Sequence, residues 1–127
     1  MKVQFDSSAP IFMQIVEEML HDMAKGNLAP GDKVAPVRVL AAEYKVNPNT
    51  MQKSLEKLGD MGYLYTERTS GRYVTEDAAK IEALRQSIPN KMTAGYVEEM
   101  LNFGVPPSEI PNYVQKHLME VKNGKNS

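Results

Sequence analysis

The sequence predicts a mostly α-helical chain with one small β-hairpin. Apolar residues recur at helical spacing in several stretches, each bounded by a start signal and a glycine or proline stop. One stretch near the middle, "YLYTERTSGRYVT", alternates instead and turns around Thr69-Ser70-Gly71. No apolar run approaches the roughly 20 residues that cross a bilayer. The opening "MKVQFDSSAP" lacks the apolar core of a signal peptide, so a cytoplasmic location is expected.

The first helix is expected from Pro10 to about Lys25, with Ser7, Ser8 and Pro10 as start signals. Ile11, Ile15, Met19 and Met23 recur every four residues, with Phe12, Val16 and Leu20 beside them, and Gly26 stands just past the end. Pro30-Gly31 fits a type II turn, after which Val34 begins a short extended piece. A short second helix spans Pro36 to about Tyr44 with Val37, Leu40 and Ala41 inward. Lys45-Val46-Asn47 connects it tightly to a third helix that runs to about Met61 and closes at Gly62. The hairpin pairs Tyr63–Glu67 with Arg72–Thr75. Helix, turn, helix, tight turn, helix, hairpin is the order of a winged helix-turn-helix.

Beyond it, Thr75, Glu76 and Asp77 are expected to cap a fourth helix that Pro89-Asn90 ends near Ile88. A fifth is expected over Lys91–Phe103 with Gly104 as its stop, and a sixth from the Pro106-Pro107-Ser108-Glu109 region to about Val121. Pro111 suits only a first turn. The domain reading is residues 8–75 as the winged helix-turn-helix, 76–122 as a helical dimerisation region and 123–127 as a disordered tail. Met92, Tyr96, Met100, Ile110, Val114, Leu118 and Val121 are the candidates for a homodimer interface and local core.

The 127 residues are 42% hydrophobic and 24% charged, ordinary globular composition, and contain no cysteine. Disulfide and thiolate chemistry are therefore excluded. The net charge of −1 is uninformative, but its distribution is not. Residues 1–32 carry two Lys/Arg against five Asp/Glu, whereas residues 33–75 carry seven against four. The basic excess falls on the helix-turn-helix and wing, where phosphate contacts would need it.

The third helix, "VNPNTMQKSLEKL" with its lead-in, concentrates the candidate chemistry. Asn47 is suited to cap it, and Pro48 fits the next position because its missing N–H would be unpaired anyway. Met51, Leu55 and Leu58 share the inward face, which turns Asn49, Gln52, Lys53, Glu56 and Lys57 outward. Asn and Gln can pair bidentately with adenine, Lys reaches guanine or phosphate, and Thr50 can hydrogen-bond a base or touch a thymine methyl. The alternative is a capped, solvated helix face. Arg68, Thr69, Ser70, Gly71 and Arg72 put two guanidinium groups beside a glycine turn, a wing that can enter a minor groove or clamp phosphate. The alternative there is an ordinary hairpin tip. Arg38, with Lys33 and Lys45, is a phosphate candidate; the alternative for Arg38 is a surface ion pair with Glu43 or Asp32.

Residues 10–74 resemble the GntR-type bacterial transcription regulators. "G-x-L-x-P-G-D-K-V", "VRVLAAEYKVNPNTMQKSLEKL" and "MGYLYTERTSGRYV" follow in the order and spacing of that family. The short C-terminal part resembles the YtrA-type subfamily, which carries a small helical dimerisation region and no large ligand domain. The resemblance implies double-stranded operator DNA as partner, a homodimer, and repression as the mode of regulation. It implies DNA contacts at Arg38, at Asn47, Asn49, Thr50 and Gln52, and at Arg68 to Arg72. Val34-Ala35-Pro36 replaces the family's usual Leu-Pro-Ser, Val39 its glutamate, and Thr69 a common wing glycine. Pro48 and Gln52 stand where many members have arginine.

Other function classes fare worse. His21 and His117 lie in separate helices without metal-ligand spacing, and no nucleophile motif or phosphate loop is present, so neither an enzyme, a metal nor a cofactor is expected. A winged helix that binds protein rather than DNA is the rival module; the basic segment argues against it. Tyr63, Tyr65, Tyr73, Tyr96 and Tyr113 could line a pocket for a small-molecule effector, or serve core and interface. The nine methionines suit adaptable packing.

Overall fold

The computed structural model describes residues 5–124. Its elements are α1 (Ile11–Lys25), α2 (Val37–Tyr44), α3 (Pro48–Asp60), β1 (Leu64–Glu67), β2 (Gly71–Val74), α4 (Ala78–Phe103), a single 3-10 turn (Pro107–Glu109) and α5 (Ile110–Lys122). The chain divides into two compact units, one ending at Gln86 and the other beginning at Ser87.

In the first unit α3 is the hub, packed against α1, α2 and β1. Its inward face is the predicted one: Met51 and Leu58 are fully buried and Leu55 nearly so. They meet Ile15, Val16, Met19 and Met23 of α1, and Leu40, Ala41 and Tyr44 of α2, in one core that Val34, Leu64, Val74, Ile81 and Leu84 complete. Tyr44 was not foreseen there. Burial, then the nearby Asp22, Glu18 and Glu43 carboxylates, push its phenol well above the ordinary range, so it packs as a neutral side chain.

β1 and β2 form an antiparallel pair in the register Leu64↔Val74, Tyr65↔Tyr73, Thr66↔Arg72 and Glu67↔Gly71. The segment before α2 lies alongside β2 as a third, irregular strand. Gly31 N–H donates to Val74 O, Val74 N–H to Asp32 O and Val34 N–H to Arg72 O, each within 2.9 Å. It enters through the expected type II turn. Gly31 has φ +84°, which the third position of such a turn requires, and Asp32 N–H closes the turn on Ala29 O at 3.0 Å.

Two local expectations are corrected and one is narrowed. The serines before α1 do not cap it: Pro10 is the cap residue, and no side chain bonds the helix start. Gln14 instead reaches back, its amide donating to the Asp6 and Ala9 carbonyls. Of the three residues expected to cap the fourth helix, Asp77 makes the cap: its Oδ1 accepts from Lys80 N–H at 3.1 Å, while Thr75 Oγ1 only braces Asp77 N–H. Finally, Pro89 does not end a helix. Helix α4 runs through it, so the expected fourth and fifth helices are one. A proline ring fixes φ near the helical value, and what it removes is one N–H and the room for one carbonyl. The helix formers on either side outweigh that loss.

The second unit holds the rest of α4, the 3-10 turn and α5. Pro111 falls in the first turn of α5, where it is tolerated. Ile110 is the buried apolar residue of this unit, while Met92, Leu118, Val121 and Phe103 are more than half exposed. An apolar cleft of about 620 Å³ opens between the end of α4 and the start of α5, lined by Tyr96, Met100, Phe103, Val105, Tyr113, Val114 and His117. Asn123 and Gly124 form a turn after α5; the remainder of the expected tail lies outside the described residues. No helix among the described residues is long and apolar enough to cross a membrane.

Candidate nucleic-acid interface

The connection between α2 and α3 fixes where the third helix points. Lys45 takes the left-handed conformation, φ 59° and ψ 48°, the one non-glycine residue with positive φ among those described. Its N–H and that of Val46 donate to Ala42 O and Ala41 O, closing α2. Asn47 then extends the chain, and its Oδ1 accepts Asn49 N–H at 2.7 Å. The predicted cap is therefore present, with Pro48 opening the helix. Asn47 uses its oxygen to start α3, and its amide N–H groups have no partner among the described residues.

Along the outward face Asn49, Lys53, Glu56 and Lys57 are exposed, and Thr50 and Gln52 half-buried. Two of these side chains are already engaged. Gln52 Nε2 donates to Glu56 Oε2 at 2.8 Å. Lys53 Nζ sits 4.2 Å from the centre of the Phe12 ring, a cation–π contact with α1. Ser54, which sequence reasoning passed over, is fully buried. Its hydroxyl lies 3.1 Å from Phe12 O and 2.9 Å from Thr50 O, which joins α3 to the backbone of α1. Its spacing, three residues after Met51 and four before Leu58, sets it on the inward face; its partner on α1 is what the spacing does not show.

The wing is braced from behind. Tyr65 and Tyr73 stack with ring centres 5.7 Å apart. Tyr73 OH donates to Ser70 Oγ at 2.8 Å, and Tyr65 OH to Glu76 Oε2 at 3.3 Å. Desolvation, then the Glu76 carboxylate, raises the Tyr65 phenol above its ordinary pKa. Arg68, Thr69 and Ser70 form the loop, closed by Ser70 N–H on Glu67 O, and all three are exposed. Gly71 begins β2 at φ +124°, a backbone conformation that a side chain would strain. Arg72 lies opposite Thr66 on the strand, behind the tip.

Lys33 and Arg72 come together with Thr66, Ser70 and the start of α2 around a groove of about 420 Å³. The first turn of α2 has no side-chain cap, and Arg38 is exposed within it. Free N–H groups at a helix start beside Lys33 and Arg72 favour an anionic oxygen. Among the described residues Arg85 with Glu82 is the one ion pair, so Arg38 makes none with Glu43 or Asp32. Asp32 instead accepts Ala29 N–H. Lys45, Arg68 and Arg72 likewise have no carboxylate partner there.

No group of three His, Asp or Glu side chains among the described residues could hold a metal ion. His117 Nδ1 donates to Tyr113 O at 3.1 Å within α5. The tyrosines do not share a pocket: Tyr65 and Tyr73 brace the wing, while Tyr96 and Tyr113 line the apolar cleft of the second unit.

The family model described as "Bacterial regulatory proteins, gntR family" matches residues 13–74, the whole of this interface. HTH-type transcriptional regulator YhcF of Bacillus subtilis is 33% identical over 107 residues, 84% of this chain and 88% of that protein. The chain belongs to the gntR family. HTH-type transcriptional repressor YtrA of Bacillus subtilis is 32% identical over 127 residues, 97% of each chain. A solved GntR family transcriptional regulator from Listeria monocytogenes is 37% identical, with a TM-score of 0.79, covering 88% of this chain and 98% of that one. The protein is a DNA-binding transcription regulator of winged helix-turn-helix fold, and not an enzyme. The match to YtrA spans nearly the whole of both chains, the second unit included.

Proposed function

We propose that the protein is a homodimeric repressor that acts in the cytoplasm by occupying a palindromic operator. The observation that carries the reading is the division of α3 into two faces. Met51, Leu55 and Leu58 lock one into the core, while a capped first turn presents Asn49, Thr50 and Gln52 on the other. In this reading α3 enters the major groove and those three side chains meet base edges. Arg68, Thr69, Ser70, Gly71 and Arg72 approach the adjacent minor groove and its phosphates. Lys33, Arg38 and Lys45 hold phosphate, and Lys53 joins them by leaving the Phe12 ring. Asn47 acts mainly by setting the start of the helix. The likeness to the transcriptional repressor YtrA supports repression.

Residues 76–122 supply the dimer. Met92, Tyr96, Met100, Val114, Leu118 and Val121 offer the apolar surface, to which the structure adds Phe103, exposed to 88%. Ile110 differs from the others: it is buried within its own chain and supports the surface from beneath. A twofold dimer presents two α3 helices to two half-sites. No observation favours the protein-binding alternative.

Selection of bound sites from randomised duplex DNA tests the reading. The wild type is expected to enrich an inverted repeat. Gln52→Ala should flatten base preference at one position of each half-site, a loss of about 1–3 kcal/mol there. Arg38→Ala should weaken binding across sequences and lower the salt slope by about one. Unchanged binding by both variants would overturn the contact assignment.

A further inference from the structure

We propose that Glu56 is a positioning residue for base reading, fixing the Gln52 amide in the orientation that selects adenine over guanine. The inference rests on the reading of α3 as the base-contacting helix. It starts from the hydrogen bond between Gln52 Nε2 and Glu56 Oε2, 2.8 Å long, across one turn of the outward face. An ionised carboxylate has only acceptor sites, so the end of the amide that faces Glu56 is its nitrogen. The reverse orientation would set the amide oxygen against a carboxylate oxygen. Glu56 thereby chooses between two orientations that a free glutamine adopts with similar ease.

What remains on Gln52 is one N–H and the oxygen. Those are the donor and acceptor that the major-groove edge of adenine demands, a donor for N7 and an acceptor for the N6 amino group. Guanine presents two acceptors, N7 and O6, and would need both amide N–H groups or a cation. With one N–H held by Glu56, the guanine pattern goes unmatched, and the carboxylate adds repulsion toward those acceptors. The carboxylate is also free for this task. Among the described residues it forms no ion pair, and its hydrogen-bond partner is the Gln52 amide.

The test selects bound sites from one randomised duplex pool with the full-length wild type, Gln52→Ala, Glu56→Ala and Glu56→Gln. The position that Gln52→Ala flattens identifies the base Gln52 reads. At that position Glu56→Ala should lower the ratio of adenine to guanine by roughly three- to tenfold, a fraction of what one bidentate contact supplies. Glu56→Gln, which keeps an acceptor but can also donate, should fall between Glu56→Ala and wild type. An unchanged ratio in Glu56→Ala, with Gln52→Ala still flattening the position, would overturn the proposal and leave the reading of α3 intact. A change confined to a different base pair would also overturn it, since Glu56 would then contact a base itself. Should Gln52→Ala flatten no position, the reading of α3 and this proposal fall together.

Discussion

The two units of the chain treat apolar residues in opposite ways. In the first, side chains from α1, α2, α3, the start of α4 and the hairpin close on one another, and Ile15, Met51 and Leu58 are wholly removed from water. In the second, Ile110 is buried while Met92, Phe103 and Leu118 are left largely in solvent. Apolar area removed from water contributes roughly 25 cal/mol per Å² wherever it is buried. The first unit therefore collects that contribution within one chain, whereas the second leaves much of it for the proposed association. The same side-chain type should accordingly report on folding in one unit and on self-association in the other.

The largest expected effect lies in the first unit. Leu55→Ala empties a site at the centre of α3 and should destabilise the fold by about 3 kcal/mol, the usual range for a buried leucine. Denaturant unfolding measures this directly. A loss below about 1 kcal/mol would mean that the core collapses around the gap, and the contrast between the units would weaken. Next comes the second unit, where Leu118→Ser and Phe103→Ser should leave secondary structure intact while weakening the proposed dimer at least about tenfold each. That corresponds to roughly 1.5 kcal/mol, the lower end for burying such a side chain. Sedimentation over a concentration series would show it. A wild-type protein that is monomeric at micromolar concentration would remove the proposed role of this surface.

Ser54 tests whether the first unit is as closed to polar groups as its apolar core suggests. Its hydroxyl reaches Phe12 O from a site with no water access, so Ser54→Ala removes a link between α1 and α3. The expected cost is about 1 kcal/mol, the net value of one such bond. It should appear as a lower unfolding midpoint with an unchanged denaturant slope. No loss at all would assign the tie between these helices to the apolar contacts alone.

These contrasts also mark what could be read in the sequence. The inward face of α3 was legible because three apolar residues at helical spacing admit one orientation, and the cap because Asn47-Pro48 is a local signal. The type II turn at Pro30-Gly31 was legible for the same reason. The same spacing places Ser54 inward, but its partner, a backbone carbonyl 42 positions away, was not legible. The pairing of Lys53 with Phe12 depends likewise on how α1 lies across α3. Pro89 misled because a local rule against proline competes with good helix formers on both sides, and the sum decides. Phe103 was overlooked because it adjoins the Gly104 stop, where a residue reads as helix end rather than surface.

The smallest expected effect concerns Lys45, where folding and binding should move in opposite directions. An L-residue in the left-handed conformation is disfavoured by about 1–2 kcal/mol, and glycine is not. Glycine in turn adds roughly 0.5–1 kcal/mol of unfolded-chain entropy to be overcome. Lys45→Gly should thus stabilise the first unit by a few tenths to about 1 kcal/mol. The substitution also removes a cation proposed to hold phosphate, so affinity for operator DNA should fall and the salt slope should drop by about one. Lys45→Ala separates the two effects: it loses the charge but keeps the strain, and should weaken DNA binding with no gain in stability. If Lys45→Gly bound operator as tightly as wild type over a salt series, Lys45 would act only as the hinge that aims α3.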